Sequence, residues 1–373
     1  MTFHIGIGPN NRKSCYFDAT VAAGVACFSV YNHMFIPAHF GDPEAEYDAL
    51  MTGVAMWDVA AQRQVEIAGP DAFELIQYLT TRDMTKTRVG QGRYVPICNH
   101  EGLLINDPVL LMLEAGRYWL SIADSDIALW ASAIAAERGM DVRVHEPDVS
   151  PLAIQGPKAE RVVAELFGDW VKELSYFGFR QTELRSIPLV LARSGWSKQG
   201  GFELYLQDGT RGTELWDMVQ AAGARHGIRP GAPNDRERIE SGLVSYGADG
   251  RLQVNPCNPF EIGLGGLVDF AKPEDFVGKA ALQRIKAEGA ARRRVRYVIE
   301  GAPLGAFEHA LPVLTGKGVS VGVLSEAIYS QRFGANIGVG MISTQMDETG
   351  ETLHVEMAEG GRRVEIRAEF GDG

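Results

Sequence analysis

The chain has 373 residues with 48 Asp and Glu against 36 Lys and Arg, and 45% of it is hydrophobic. That length exceeds one ordinary core and implies two or three domains, while a net charge of -12 leaves no basic excess to neutralise phosphates and excludes broad nucleic-acid binding. No run approaches the ~18 apolar residues that cross a bilayer and the first residues lack a signal-peptide core, so a cytoplasmic location without membrane contact is expected.

Residues 1–13 read as a loose leader. Gly6-Ile7-Gly8-Pro9 is not a nucleotide loop, because no strand precedes it and no third glycine follows at the right spacing. Asp42 to Met51 is predicted helical, with Pro43 near its start. Val65 to Gly69 alternates like a strand, and Pro70 to Thr80 carries Phe73, Leu75, Ile76 and Leu79 on one helical side. A strand at Tyr94 to Cys98, a turn at Asn99 to Gly102 and a strand at Leu103 to Leu113 follow. Tyr118 to Ile122 (strand), Asp126 to Arg138 (helix) and Val142 to Val144 (strand) complete an α+β stretch. A similar stretch takes strands at Leu152 to Ile154, Leu189 to Ala192 and Phe202 to Leu206, with helices at Lys158 to Leu166 and Gly212 to Ala222. After about Ile285, short strands between Gly-rich turns predict a β-barrel or sandwich. The basic cluster Arg292, Arg293, Arg294 and Arg296 reads as a solvated turn before a strand.

The cysteines, Cys15, Cys27, Cys98 and Cys257, include no CxxC pair and match no zinc spacing. They read as reduced and structural, and no metal is assigned. Asp107 places a carboxylate in the apolar run Leu103 to Leu110, where it needs partners or a task; the bland reading is a strand break at Pro108. Ser194 to Tyr205 is a polar loop entering a strand. In it Trp196 offers a π face, Lys198 a cation and Glu203 a carboxylate, and Gly200 and Gly201 permit close approach. An ordinary hairpin fits that segment equally well. Arg238 to Gly242 suits either a helix surface or an internal ion pair.

Together these segments resemble the glycine-cleavage T-protein (aminomethyltransferase) family. The resemblance rests on Met56-Trp57-Asp58-Val59, Asn106-Asp107, Ala153 to Lys158, Gly201-Phe202-Glu203, Arg238 to Gly242, Asn258 to Leu264 and Phe276 to Leu282. It implies a three-domain α+β cloverleaf ending in a β-barrel, with tetrahydrofolate held centrally. The lobes implied are 1–55 with 147–228, 56–146 with 229–285, and a barrel at 286–373. Within the family, Val30 to Met34, Arg63 to Ile67, Ile122 to Asp126, Glu146 to Ser150, Ser194 to Gly201 and Ser245-Tyr246-Gly247 are similar to the dimethylsulfoniopropionate demethylase branch.

Departures from the T-protein pattern point the same way. Ala60-Ala61-Gln62 replaces Ser-His-Met, Trp196 replaces a tyrosine, Asn234 replaces an arginine, and Gly263 to Gly266 replaces Gly-Leu-Gly-Trp. Cys15-Tyr16, where a Pro-aromatic pair is expected, departs from the demethylase pattern as well.

The resemblance implies an enzyme that moves a methyl group from a small-molecule sulfonium or quaternary ammonium donor to tetrahydrofolate. Glu203 and Tyr94 would bind the folate and Asp107 would stand near its reacting N5. Trp196 suits the cationic donor by cation–π attraction, and Lys198 suits a donor carboxylate. The alternatives are a demethylase of methylated amines or betaines, and an aminomethyltransferase of glycine cleavage. Folate-binding relatives that assist iron–sulfur assembly carry Lys-Gly-Cys, which is absent here. A homodimer is the one protein partnership expected.

Overall fold

The computed structural model describes residues 7–305, 309–346, 352–357 and 360–370. The start of the expected leader, residues 1–6, lies outside these. The described chain forms two compact units. The first contains residues up to Ile76, Thr85–Tyr94 and Pro108–Asn234; the second contains Gln77–Met84, Val95–Asp107 and the rest from Asp235.

The first unit contains two sheets. One runs in the order Phe179–Leu184, Ile187–Ala192, Gly201–Leu206, Ser150–Gln155, Ala55–Asp58, Arg229–Gly231. Its neighbours pair antiparallel except the last two, which are parallel. Ser150–Gln155 and Gly201–Leu206 are buried along nearly their whole length, because both faces are covered. On one face lie helices Ala159–Phe167 and Gly212–Gly223, which supply Val162, Val163, Leu215, Trp216 and Val219 to the core. On the other, Val190, Ala192 and Tyr205 meet Leu111, Leu113 and Trp119.

Leu111, Leu113 and Trp119 belong to the second sheet. It is antiparallel, in the order Arg143–His145, Gln64–Ala68, Arg117–Ser121, Val109–Glu114, Gly92–Tyr94.

Helix Pro43–Thr52 starts where its sequence dictates. The Asp42 carboxylate accepts the Ala45 N–H at 3.0 Å and Pro43 occupies the first turn, where a missing N–H costs nothing. The hairpin Cys27–Tyr31 with Met34–His39 carries no glycine at its tip; Asn32 and His33 themselves take positive φ. The Asn32 amide, buried, donates to the carbonyls of Ala61 and Ala123 at 3.0 Å each, which anchors the tip.

In the second unit, strands Arg292–Ile299, Ala335–Ser343, Ser320–Ser330, Leu311–Thr315, Leu353–Met357 and Gly360–Arg367 close into a barrel, each neighbour antiparallel. Alternate residues Val295, Tyr297 and Ile299 point into its core with Val313, Leu324, Val355 and Val364, as a period of two requires. The arginine cluster is therefore strand, not a turn. Arg292 donates to Glu261 at 3.1 Å and Arg294 to the Leu243 carbonyl at 3.0 Å, so internal partners replace water. Arg238 is fully buried and pairs with Asp249 at 3.1 Å and with Glu326. This ties helix Asp235–Ser241 to the barrel, the internal ion pair among the two readings of that motif.

Lys272 is buried too. Its ammonium donates to the carbonyls of Gln77 at 2.5 Å and Thr80 at 2.9 Å, at the end of helix Ala72–Leu79, where carbonyls lack intrahelical donors.

No helix among the described residues is long and apolar enough to cross a membrane.

Candidate functional site

Trp196, Lys198 and Glu203 share one hairpin of the first unit. Ile187–Ala192 and Gly201–Leu206 pair so that Ala192 stands opposite Glu203, and residues 193–200 form the connecting loop. Trp196 is half-buried in that loop and Lys198 exposed.

The loop is held by Gln155, at the end of the neighbouring strand. Its amide nitrogen donates to the Ser194 carbonyl at 3.1 Å, and its amide oxygen accepts the Ser197 hydroxyl at 2.9 Å. The Gly156 N–H donates to the Gly200 carbonyl at 2.9 Å. Gly195 and Gly201 make this approach possible: an added Cβ would come within 2.0 Å and 2.3 Å of the Gln155 amide nitrogen.

Glu203 is buried and accepts hydrogen bonds from Ser194 Oγ and from Tyr205 Oη at 3.1 Å. Burial raises its pKa, and these two bonds oppose the rise. Both bonds fall on Oε2; among the described residues none reaches Oε1. A buried carboxylate with an acceptor in reserve suits the clustered N–H donors of a pterin, so these residues fit a folate.

Tyr94 ends strand Gly92–Tyr94, opposite Val109. A turn at Ser175–Gly178 stitches this strand to the Trp196 loop. The Phe177 carbonyl accepts the Gly92 N–H at 2.6 Å, and the Phe177 N–H donates to the Arg193 carbonyl at 2.8 Å. Phe177 has φ 62°, an outlier for a bulky side chain and a conformation that concentrates at functional sites. Its ring lies 4.3 Å from that of Tyr176. Tyr176 as a residue is 62% exposed, yet burial around its hydroxyl and then the charge of Glu203 raise its pKa. Gln155 and Ser194 fall in motif segments without a role of their own, and Tyr176 and Phe177 fall in none. The positive φ of Phe177 has no sequence signal at all.

Asp107 belongs to the second unit. It is half-buried and lies outside strand, in the break between Leu104–Asn106 and Val109–Glu114. The expected continuous apolar strand is interrupted because Pro108 has no N–H for a ladder. The Asp107 N–H is taken by Asn106 Oδ1 at 3.0 Å, and Asn106 is fully buried.

The first unit also contains a cavity of about 620 Å³ lined by Arg12–Cys15, Met34, Ala60, Glu146–Ser150, Gly209 and Thr210. Trp196, Lys198 and Glu203 do not line it, so this cavity and the hairpin are separate. Its polar groups satisfy one another: Arg12 pairs with Glu146 at 2.9 Å and Asp148 accepts the Gly209 N–H at 3.0 Å. Behind it Ser14 donates to buried Asp58 at 2.5 Å and the Ala60 N–H donates at 3.1 Å.

Burial outweighs those bonds and pushes the Asp58 carboxyl from 3.8 up to about 6. The folded state therefore holds the proton more tightly than the unfolded chain. The carboxyl's favourable contribution is complete below about pH 4 and is lost as pH rises to about 6. Asp58→Asn is expected to be more stable than the parent by on the order of 2 kcal/mol at pH 8, with the difference closing at pH 4. Thermal melts at both pH values check this; an equal difference at each pH would remove the titration argument.

Comparison with known proteins agrees with the fold and the motifs. The GCVT N-terminal domain family matches residues 16–272, and the glycine cleavage T-protein C-terminal barrel domain family matches residues 292–369. The chain is 42% identical over 359 residues to the dimethylsulfoniopropionate demethylase DmdA of Ruegeria pomeroyi, covering 96% of this chain and 97% of that one. It is 29% identical over 349 residues to an aminomethyltransferase of Saccharopolyspora erythraea, covering 92% and 93%. The crystal structure of the glycine cleavage system aminomethyltransferase T of Bartonella henselae has the same fold, with a TM-score of 0.83 at 20% identity and coverage of 97% and 98%. The chain therefore belongs to the glycine cleavage T-protein family and is a tetrahydrofolate-dependent one-carbon transferase.

Proposed function

We propose that the chain demethylates a sulfonium compound, dimethylsulfoniopropionate in the first instance, to give 5-methyltetrahydrofolate and 3-methylthiopropionate. The observation that supports this most is the 42% identity to a dimethylsulfoniopropionate demethylase across 96% of the chain. The Trp196 that replaces the family's tyrosine favours a cationic donor as well.

When bound, tetrahydrofolate supplies the nucleophile, its N5 amine. A sulfonium donor brings its own leaving group, a neutral thioether, so the protein needs no strong base. Its residues must orient the reactants and exclude water, and orientation alone supplies roughly 7–11 kcal/mol. Trp196 holds the onium charge against its ring, where desolvation makes cation–π attraction worth about 2 kcal/mol. Lys198 takes the donor carboxylate. Glu203 and Tyr94 hold the folate, Glu203 through its reserved oxygen. Asp107 stabilises the positive charge that develops on the amine. A cytoplasmic setting suits both substrates.

The test is to incubate the protein with tetrahydrofolate and either dimethylsulfoniopropionate, a betaine or an N-methyl amino acid. Formation of 5-methyltetrahydrofolate and 3-methylthiopropionate from the sulfonium is expected. The 29% identical aminomethyltransferases keep a second reading in view: 5,10-methylenetetrahydrofolate formed from an aminomethyl donor would favour that reading and sink this one.

A further inference from the structure

We infer that Gln155 is a positioning residue that sets the placement of Trp196, and so governs the affinity for the cationic donor, without itself touching the donor. The inference rests on the proposed role of Trp196.

Gln155 has no exposed surface, and the two shortest bonds of its side-chain amide go to one loop. The nitrogen serves the Ser194 carbonyl at 3.1 Å and, at 3.4 Å each, those of Phe202 and Ile154. The oxygen takes the Ser197 hydroxyl at 2.9 Å. Ser194 and Ser197 bracket Trp196, so the loop is pinned on both sides of the ring. The packing is specific to this side chain. Gly195 and Gly201 stand against the amide where any Cβ would overlap it, and Gly201 also lies where a Cβ would meet the Ile154 carbonyl at 2.5 Å. A flexible polar loop fixed in this way presents its aromatic ring in one place. That lowers the ordering cost of binding rather than adding a contact.

Ser197 gives the cleaner probe, because its hydroxyl bonds Gln155 whereas that of Ser194 bonds Glu203. Ser197→Ala is expected to raise the KM for dimethylsulfoniopropionate about fivefold, the worth of one such bond. The KM for tetrahydrofolate and kcat should stay within about twofold. Ser197→Thr, which keeps the hydroxyl, should restore the parent value. Gln155→Met should raise the donor KM further, and Gln155→Met with Ser197→Ala should be no worse than Gln155→Met alone, since the two side chains share one bond.

Trp196→Ala runs in parallel. If it raises the donor KM while Ser197→Ala and Gln155→Met do not, the positioning role is overturned and the Trp196 reading stands. If Trp196→Ala leaves the donor KM unchanged, both fall. Equal rises in the two KM values for Ser197→Ala, or strictly additive effects in the double variant, would also overturn the inference. Should Gln155→Met fail to fold, Ser197→Ala and Ser197→Thr decide the question alone.

Discussion

Asp107→Asn is expected to lower kcat by about a hundredfold, the usual loss when one preorganised electrostatic group facing developing charge is removed. The substitution keeps shape and volume, removes the negative charge and turns one acceptor oxygen into an N–H donor. Because Asp107 is half-buried in a break between strands, the variant should fold, and its melting temperature should stay close to that of the parent. Its main-chain N–H is held by the Asn106 side chain, a bond that the substitution leaves in place. Steady-state rates at saturating tetrahydrofolate and dimethylsulfoniopropionate, with a thermal melt as control, read both halves of the claim. An unchanged kcat would take Asp107 out of the mechanism.

The second large effect is expected at Trp196. Truncation to alanine removes the ring that holds the onium charge, and about 2 kcal/mol of lost attraction corresponds to roughly a thirtyfold rise in donor KM. The KM for tetrahydrofolate should change little, because Glu203 keeps its own partners in Ser194 and Tyr205. Trp196→Phe should recover part of the loss, since a smaller π face still attracts a cation. Equal losses for donor and folate would mean that the ring packs on the folate instead.

The sequence was most legible where one local rule dominates. Asp42 and Pro43 announce a helix start, and the helix begins there. Short runs between Gly-rich turns after about Ile285 foretell strands, and they close into a barrel. It was least legible where a residue's meaning depends on a distant partner. Arg292 and Arg294 look solvated until Glu261 and the Leu243 carbonyl are beside them. The hairpin at Cys27–His39 turns on Asn32 and His33 rather than glycine, so its local signal is weaker than an Asn-Gly turn would give.

That Trp196, Lys198 and Glu203 are neighbours along one loop and the strand it enters was legible. Gln155 was not. A buried glutamine at the end of an apolar strand reads as an ordinary motif residue until Gly195 and Gly201 are seen to leave room for it alone.

The two compact units are interleaved along the chain, and this has a consequence for biosynthesis. Residues 95–107 belong with Asp235 and beyond, and the Leu104 N–H finds its carbonyl partner only at Cys257. At about 5–20 residues per second, that partner leaves the ribosome roughly 8–30 s after Leu104 does. Ile97, Leu104 and Ile105, buried in the finished protein, spend that interval uncovered on a nascent chain. Such a segment invites a holdase, and a truncated gene ending before residue 257 would leave it permanently sticky.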